Sequence, residues 1–234
     1  MPIGDPEPEA EARRLYERAI ELDPGYARAY AFLSYSISLE WFRDMNGTDG
    51  ALDQALELAK KAVALDENDS DCQENLGWIY LLRHSHELAE HHYFKALELN
   101  RNRAPQMAAL GVFYSFLGRP VEAMDYFKEA KLLDPFYGPT WYWRMVGIAH
   151  FVARQYDEAI ATFSRSSSVP WVRAYLAVCY ALTDQNDHAK RQTAEVVRLV
   201  PNFSLIRFAA KEPYKLSTDR QHLIDGMRKA GLPE

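Results

Sequence analysis

One group of residues returns along this chain at a spacing of 34. Leu76-Gly77, Tyr80, Ala89, Tyr93 and Ala96 reappear as Leu110-Gly111, Tyr114, Ala123, Phe127 and Ala130, with Pro135 following. The small residues sit where two helices must come close: Gly77 and Gly111 on the first helix of a unit, Ala89 and Ala123 on the second. Tyr80, Tyr93, Tyr114 and Phe127 fill the remaining space. A single helix pair cannot bury its apolar face alone, so consecutive units must stack.

The order L-G-x2-Y, then A-x3-F, then A and P, resembles the tetratricopeptide repeat. The resemblance implies an all-α chain, a right-handed superhelical solenoid of helix-turn-helix repeats closed by a C-terminal capping helix, and a protein that binds rather than catalyses. Less regular copies extend the array. Gly147, Ala159 and Phe163 form one, with Tyr156 opening its second helix and His150 in place of the tyrosine. Leu176-Ala177, Tyr180, Ala189 and Pro201 form another, offset by only 30 from the last (Ala159 to Ala189), so the helix ending near Pro170 is expected to be about one turn short, with a local change of curvature. Tyr30, Leu33, Ala55, Ala59 and Ala62 mark an earlier unit whose inter-helix segment is lengthened by nine residues, placed at Phe42 to Gly50 on the turn dipeptides Asn46-Gly47 and Asp49-Gly50. Ahead of it stands a second helix alone, Ala12, Tyr16 and Ala19 before Asp23-Pro24. Met1 to Glu9, with Pro2, Pro6 and Pro8, is not expected to supply its partner, and the chain reads as the trimmed end of something longer. The expected array is a partial repeat at 10–24, repeats at about 26–67, 70–103, 104–137, 140–169 and 170–203, and a helical cap over 204–234.

A composition of 48% hydrophobic and 13% aromatic residues supplies a continuous core. No run approaches the apolar length of a membrane span, and the acidic, proline-broken start is not a signal peptide. A net charge of −6 argues against a nucleic-acid partner, and Arg101 and Arg103 read as solvated turn residues. Cys72 and Cys179 stand about three units apart, too far for a disulfide; free, partly buried thiols point to a reducing, cytoplasmic setting.

First helices line the concave face of such arrays, and helical spacing selects which side chains share a stripe. The expected partner-binding groove is Tyr35, Glu74 and Trp78, then Ala108, Val112 and Ser115, then Trp141, Arg144, Ile148 and Phe151, then Trp171, Ala174 and Val178. Trp141 and Trp171, at helix starts, are expected to be exposed; Trp78, Tyr35 and Phe151 read equally well as groove or as inter-repeat core. Tetratricopeptide co-chaperones that grip a C-terminal carboxylate use a clamp of Lys, Asn and Arg. The corresponding places here hold Tyr35, Glu74, Asn75, Val112, Ala109 and Arg144, which make no clamp. An apolar helix or extended segment of another protein, or of a parent chain, is the expected partner, with self-association into a homo-oligomer as the alternative.

His84, His86, His91 and His92 are the densest chemical cluster, and imidazoles so spaced suit zinc or nickel. His86, however, takes the place of a packing tyrosine, and the adjacent His91 and His92 diverge by about 100° on a helix, so no metal site is expected and a metal-dependent activity at this cluster is the least favoured alternative. Glu57, Glu67, Asp69, Asp71 and Glu74 read as helix caps and solvated faces. No phosphate loop, nucleophile elbow or dinucleotide fingerprint occurs; Arg165-Ser166-Ser167-Ser168 is a serine-rich turn that a kinase could use. No catalytic residue and no cofactor is assigned, and the chain is not expected to be an enzyme.

The repeat pattern stops after Pro201. Ser204 to Ala210 reads as a short helix, Pro213-Tyr214-Lys215 as a linker, and Thr218 with Gln221 as a capping box opening a last helix through Leu223, Ile224 and Met227, stopped by Gly231 and Pro233. This helix is expected to cover the apolar end of the stack. Phe203-Ser204-Leu205, Pro213-Tyr214-Lys215 and the run from Leu223 to Glu234, with Ala12 to Pro24 and Ala62 to Asp66, resemble the tetratricopeptide region that ends many proteobacterial class III adenylate/guanylate cyclase-like proteins. That likeness implies the regulatory or interaction module of a bacterial signalling protein. No cyclase domain is present in these residues, so the likeness carries no cyclase activity to them.

Overall fold

The protein's structure, a computed structural model, describes residues 6–43, 50–166 and 168–234. Among them are thirteen α-helices and one 3₁₀ turn, with no strand. In chain order the helices are α1 Pro6–Leu22, α2 Ala27–Arg43, α3 Ala51–Leu65, α4 Ser70–Leu82, α5 His86–Leu99, α6 Ala104–Phe116 and α7 Pro120–Leu133. They continue as α8 Thr140–Val152, α9 Tyr156–Phe163, α10 Pro170–Leu182, α11 Asn186–Leu199, α12 Leu205–Lys211 and α13 Ser217–Lys229. The chain forms two compact units that divide after Ala109, within α6.

The recurring glycines are where rings land. A methyl group on Gly111 would stand 2.7 Å from Phe127, and one on Gly147 2.5 Å from Phe163; both rings are buried. In the N-terminal unit Gly77 approaches the Ala89 carbonyl and Tyr93. One repeat earlier Ser34 stands in the glycine's place and its hydroxyl donates to the Ala55 carbonyl at 2.7 Å. Around these contacts Leu33, Ile37, Ala55, Ala59, Leu76 and Ile79 form the N-terminal core, with Tyr16 and Ile20 of α1 packed on it.

The turn inside each unit also repeats. His84, Gly118, Arg154 and Asp184 take positive φ of 58°, 76°, 63° and 58°, and the amide after each donates to the carbonyl five residues back, as in Ser85 to Tyr80 and Gln185 to Tyr180. This is a Schellman ending, which satisfies carbonyls left over at the helix terminus. Only Gly118 adopts the left-handed conformation without a Cβ penalty.

Several boundaries differ from the sequence reading. α2 is 17 residues long against 13 in α4, so Phe42 and Arg43, expected in a loop, are helical. Phe42 packs on Trp78 with ring centroids 6.2 Å apart, which explains the continuation; the Asn46-Gly47 turn lies outside the described residues. α1 begins at Pro6, because prolines in a first turn remove only amides that have no helical acceptor; Met1 to Asp5 lie outside the described residues. α9 has 8 residues, against 14 in α7 and α11, before the 3₁₀ turn Ser164–Ser166, the shortening that the offset of 30 implied. The Thr218–Gln221 capping box does not form: α13 starts at Ser217 after Leu216, whose side chain packs over Gly118.

Candidate functional site

In the N-terminal unit the first helices α2 and α4 bring Tyr35, Trp78 and Glu74 to one face. Tyr35 and Trp78 lie with ring centroids 6.4 Å apart, both half-buried, and the Trp78 indole N–H donates to Ser38 Oγ at 2.9 Å. Glu74 stands one turn before Trp78 on α4. Its Oε2 is enclosed and accepts no hydrogen bond. Burial, reinforced by Asp71 and opposed by Arg103, pushes the Glu74 carboxyl up to about 7, so Glu74 is not the solvated carboxylate its sequence context implied. Ala108 of α6, the last member expected on this face, is fully buried.

Behind this face Asp69 caps α4, accepting from the amides of Asp71 and Cys72, and also accepts from Arg28 at 2.6 Å. Arg103, expected to be a solvated turn residue, donates to Asp71 at 2.5 Å and to Ser70 at 3.4 Å. These pairs tie successive inter-repeat turns together.

Two of the clustered histidines, His86 and His92, take packing roles. His86 is buried at the first position of α5. His92 stacks on Tyr80 at 5.4 Å, and its Nδ1 meets Gln73 Oε1 at 2.7 Å; burial pulls its pKa down to about 4. Among the described residues no three His, Cys, Asp or Glu side chains are placed to hold a metal ion. Cys72 and Cys179 are free and buried, and burial raises both thiols, Cys72 up to about 12.

The C-terminal unit is different. Of the residues expected to line an open groove, Val112, Ser115, Arg144, Ile148, Phe151, Trp171, Ala174 and Val178 are buried, and only Trp141 is half-buried, beside Tyr137. The expectation that Trp171 is exposed fails, since it retains 5% exposure. The reason is the chain's own last segment. Glu212 lies 1% exposed at the head of α10, its Oε1 accepting from Trp171 Nε1 at 2.6 Å and its Oε2 from Tyr175 Oη at 2.8 Å. The Tyr175 and Tyr214 hydroxyls are 3.0 Å apart, and the Tyr214 ring sits edge-on to Phe116 at 5.2 Å. The Lys215 amide donates to the Phe116 carbonyl at 2.9 Å. Burial pushes the Glu212 carboxyl up to about 7, against the lowering effect of its two donors.

From Leu216 onward α13 runs along the intra-repeat turns. Asp219 accepts from Arg154 at 2.9 Å, His222 meets the Tyr156 hydroxyl at 2.9 Å and faces Phe151 at 5.4 Å, Gly226 abuts Val178, and Lys229 donates to Asp184 at 2.9 Å. The cap therefore spans the helix pairs begun by α6, α8 and α10 rather than lying on the last pair alone. Sequence reasoning missed Glu212, Asp219 and His222; the visible signal was an acidic residue, a proline and a tyrosine set between two helices.

Residues 107–137 match the tetratricopeptide repeat family. A TPR repeat-containing protein of Schizosaccharomyces pombe is 30% identical over 143 residues, covering 60% of this chain and 16% of that protein. A putative adenylate cyclase 3 of Rhizobium meliloti is 42% identical over 60 residues, 25% of this chain and 10% of that protein. The chain thus spans less than a fifth of these relatives. The crystal structure of the APC/C hetero-tetramer Cut9-Hcn1 superposes with a TM-score of 0.66 at 21% identity, covering 87% of this chain and 38% of that one. The fold is that of tetratricopeptide arrays, and among the described residues no helix is long and apolar enough to cross a membrane.

Proposed function

We propose that this chain is a non-enzymatic protein-interaction scaffold whose N-terminal first-helix face takes a segment of another protein. The observation that carries this reading is the partly exposed aromatic pair Tyr35 and Trp78, ring centroids 6.4 Å apart, with Glu74 one turn along α4 from Trp78 and its Oε2 enclosed without a donor. Buried polar atoms ordinarily find a partner, and aromatic surface around an acceptor suits an apolar segment that brings an N–H or cationic group. The 60-residue likeness to a putative adenylate cyclase favours a bacterial signalling protein as the setting, with this array as its regulatory module. Buried free thiols at Cys72 and Cys179 fit a reducing, cytoplasmic compartment.

The test is selection from a displayed peptide library on the whole chain, followed by affinities for Trp78→Ala and Glu74→Gln. Selected segments carrying Lys, Arg or an indole beside apolar residues, with binding lost at least tenfold in both variants, are expected. Segments that bind both variants as well as the parent would remove this face from the account.

A further inference from the structure

We propose that the turn from Lys131 to Gly138, with Trp143 and Arg165 beside it, is a second docking surface, and that its partner is an acidic, apolar segment of another protein. The surface presents Leu132 and Phe136 outward next to two cations. It lies in the C-terminal unit and shares no residue with the Glu74 face.

The other repeats act as an internal control. After α1, α3 and α7 an aspartate side chain accepts the amide two residues on, Asp23 from Gly25, Asp66 from Asn68 and Asp134 from Phe136, at 2.9, 3.0 and 2.9 Å. One turn is used three times with glycine, asparagine or phenylalanine in its last place, so the turn itself requires no ring. Two residues before these aspartates stand Glu21, Ala64 and Leu132. The ends of α5 and α11 carry Glu98 with Asn102 and Arg198 with Asn202 in the same two places. Leu132 keeps 81% and Phe136 97% of its surface in water, so neither is spent on the core. One exposed apolar residue is ordinary; two on one turn, where four other repeats place polar or small residues, mark an interaction surface. The aspartate bond braces the turn, and a braced side chain has little ordering left to lose on binding.

The surroundings set the charge of the partner. Lys131 Nζ lies 5.1 Å and Arg165 Cζ 4.1 Å from the centre of the Trp143 ring. Gly138 leaves room for this group, since a Cβ there would stand 3.1 Å from Trp143 Nε1 and 3.2 Å from Lys131 Nζ. Other arginines of this unit meet carboxylates: Arg119 meets Glu122, Arg154 meets Asp219 and Arg198 meets Glu195. Lys131 donates only to the Pro135 carbonyl, at 3.4 Å, and among the described residues neither it nor Arg165 meets a carboxylate. A cation held on an aromatic face stays charged and in place, so an arriving carboxylate finds it already positioned. Tryptophan and arginine around an apolar anchor are the residue types that dominate protein interfaces. A nucleic acid fits less well, because two cations neutralise few phosphates on a chain of net charge −6 and the aliphatic Leu132 serves neither phosphates nor bases.

The test uses the whole chain. Leu132→Ala with Phe136→Asn installs the pair that the α3 repeat carries as Ala64 and Asn68, at positions exposed enough that no packing is lost; circular dichroism checks that helicity is kept. A second variant, Lys131→Gln with Arg165→Gln, removes the cations. A displayed peptide library is selected on the parent chain and counter-selected on the first variant. The expected segments combine Asp or Glu with apolar residues. They should bind each variant at least tenfold more weakly, lose at least tenfold when their carboxylates become amides, weaken as salt is raised, and bind Trp78→Ala, which reports on the other face, as well as the parent. A library that yields no segment separating the parent from the first variant, or only segments without acidic residues, would overturn the proposal. So would a parent that dimerises in light scattering while the first variant stays monomeric, which makes the occupant a second copy. A labelled oligothymidylate held by the parent and released by both variants would replace the protein partner by a nucleic acid. Segments lost in Trp78→Ala or Glu74→Gln belong to the proposed function instead, so the two faces stand or fall separately.

Discussion

Glu74 in the N-terminal unit and Glu212 in the C-terminal unit are two carboxyl groups taken out of water, and the protein treats them differently. Burial pushes both up to about 7. Both oxygens of Glu212 accept hydrogen bonds from side chains beneath them, whereas Glu74 Oε2 accepts none. The surrounding aromatics follow the same division: Trp171 and Tyr175 are covered, Tyr35 and Trp78 remain half open. Equivalent helices of one repeat fold thus yield one face closed by its own chain and one face with an unmet acceptor. What decides between them is the segment lying on the face, since both are built from first helices of the same kind.

The largest effect that tests this contrast is on the two tryptophans. Trp171→Ala removes a buried ring and the donor to Glu212, and should lower stability by about 3–5 kcal/mol, the range for large aromatic truncations in cores. Trp78→Ala, at a partly exposed position, should cost less, about 2 kcal/mol, since part of its surface is already solvated. Urea unfolding followed by circular dichroism gives both values. Equal losses would mean that the two faces are equally closed.

The repeat register was legible because each glycine must accommodate a ring from the second helix, and that requirement fixes the spacing without reference to the surface. The intra-unit turns followed from the same register. The occupied face was not legible. Whether Trp171 is exposed depends on where residues 212–216 lie, and nothing in the α10 sequence encodes that. The same physics hid Glu74: an acidic residue in the first turns of a helix reads as solvated, and only its neighbours across the unit reveal that one oxygen is enclosed.

The next contrast replaces each carboxyl by an unbranched apolar side chain. Glu212→Met strands the Trp171 and Tyr175 donors, and at pH 5 should cost about 1–3 kcal/mol for a stranded donor; Glu74→Met strands none and should be near neutral. The pH dependence has a definite sign. A carboxyl raised from 4.5 to about 7 binds its proton more tightly in the folded state, so its contribution is fully present below pH 4.5 and is lost as pH rises through 7. His92, drawn down from 6.5 to about 4, acts oppositely, stabilising above 6.5 and less as pH falls towards 4. The parent's profile therefore mixes the two, while the difference between parent and variant isolates the carboxyl. Glu74→Met should gain on the parent between pH 5 and pH 8, by up to about 3 kcal/mol. A difference that does not change with pH would show that the Glu74 carboxyl titrates as an exposed one.

The smallest expected difference lies in the packing beneath the faces. Gly147→Ala would place a methyl 2.5 Å from the Phe163 ring, which is fully buried and stacked on Tyr175 at 5.5 Å beneath the occupied face. That ring has nowhere to go, so overpacking of about 1–3 kcal/mol should exceed the gain of about 1 kcal/mol from replacing a helical glycine. Gly77→Ala meets Tyr93 and the Ala89 carbonyl at 3.3 Å, a distance that a few tenths of an ångström relieves, and the helical gain should nearly balance it. Thermal unfolding of the two variants separates these outcomes. A Gly147→Ala protein as stable as Gly77→Ala would mean that Phe163 can shift, and with it the Tyr175 ring on which the Glu212 contact depends.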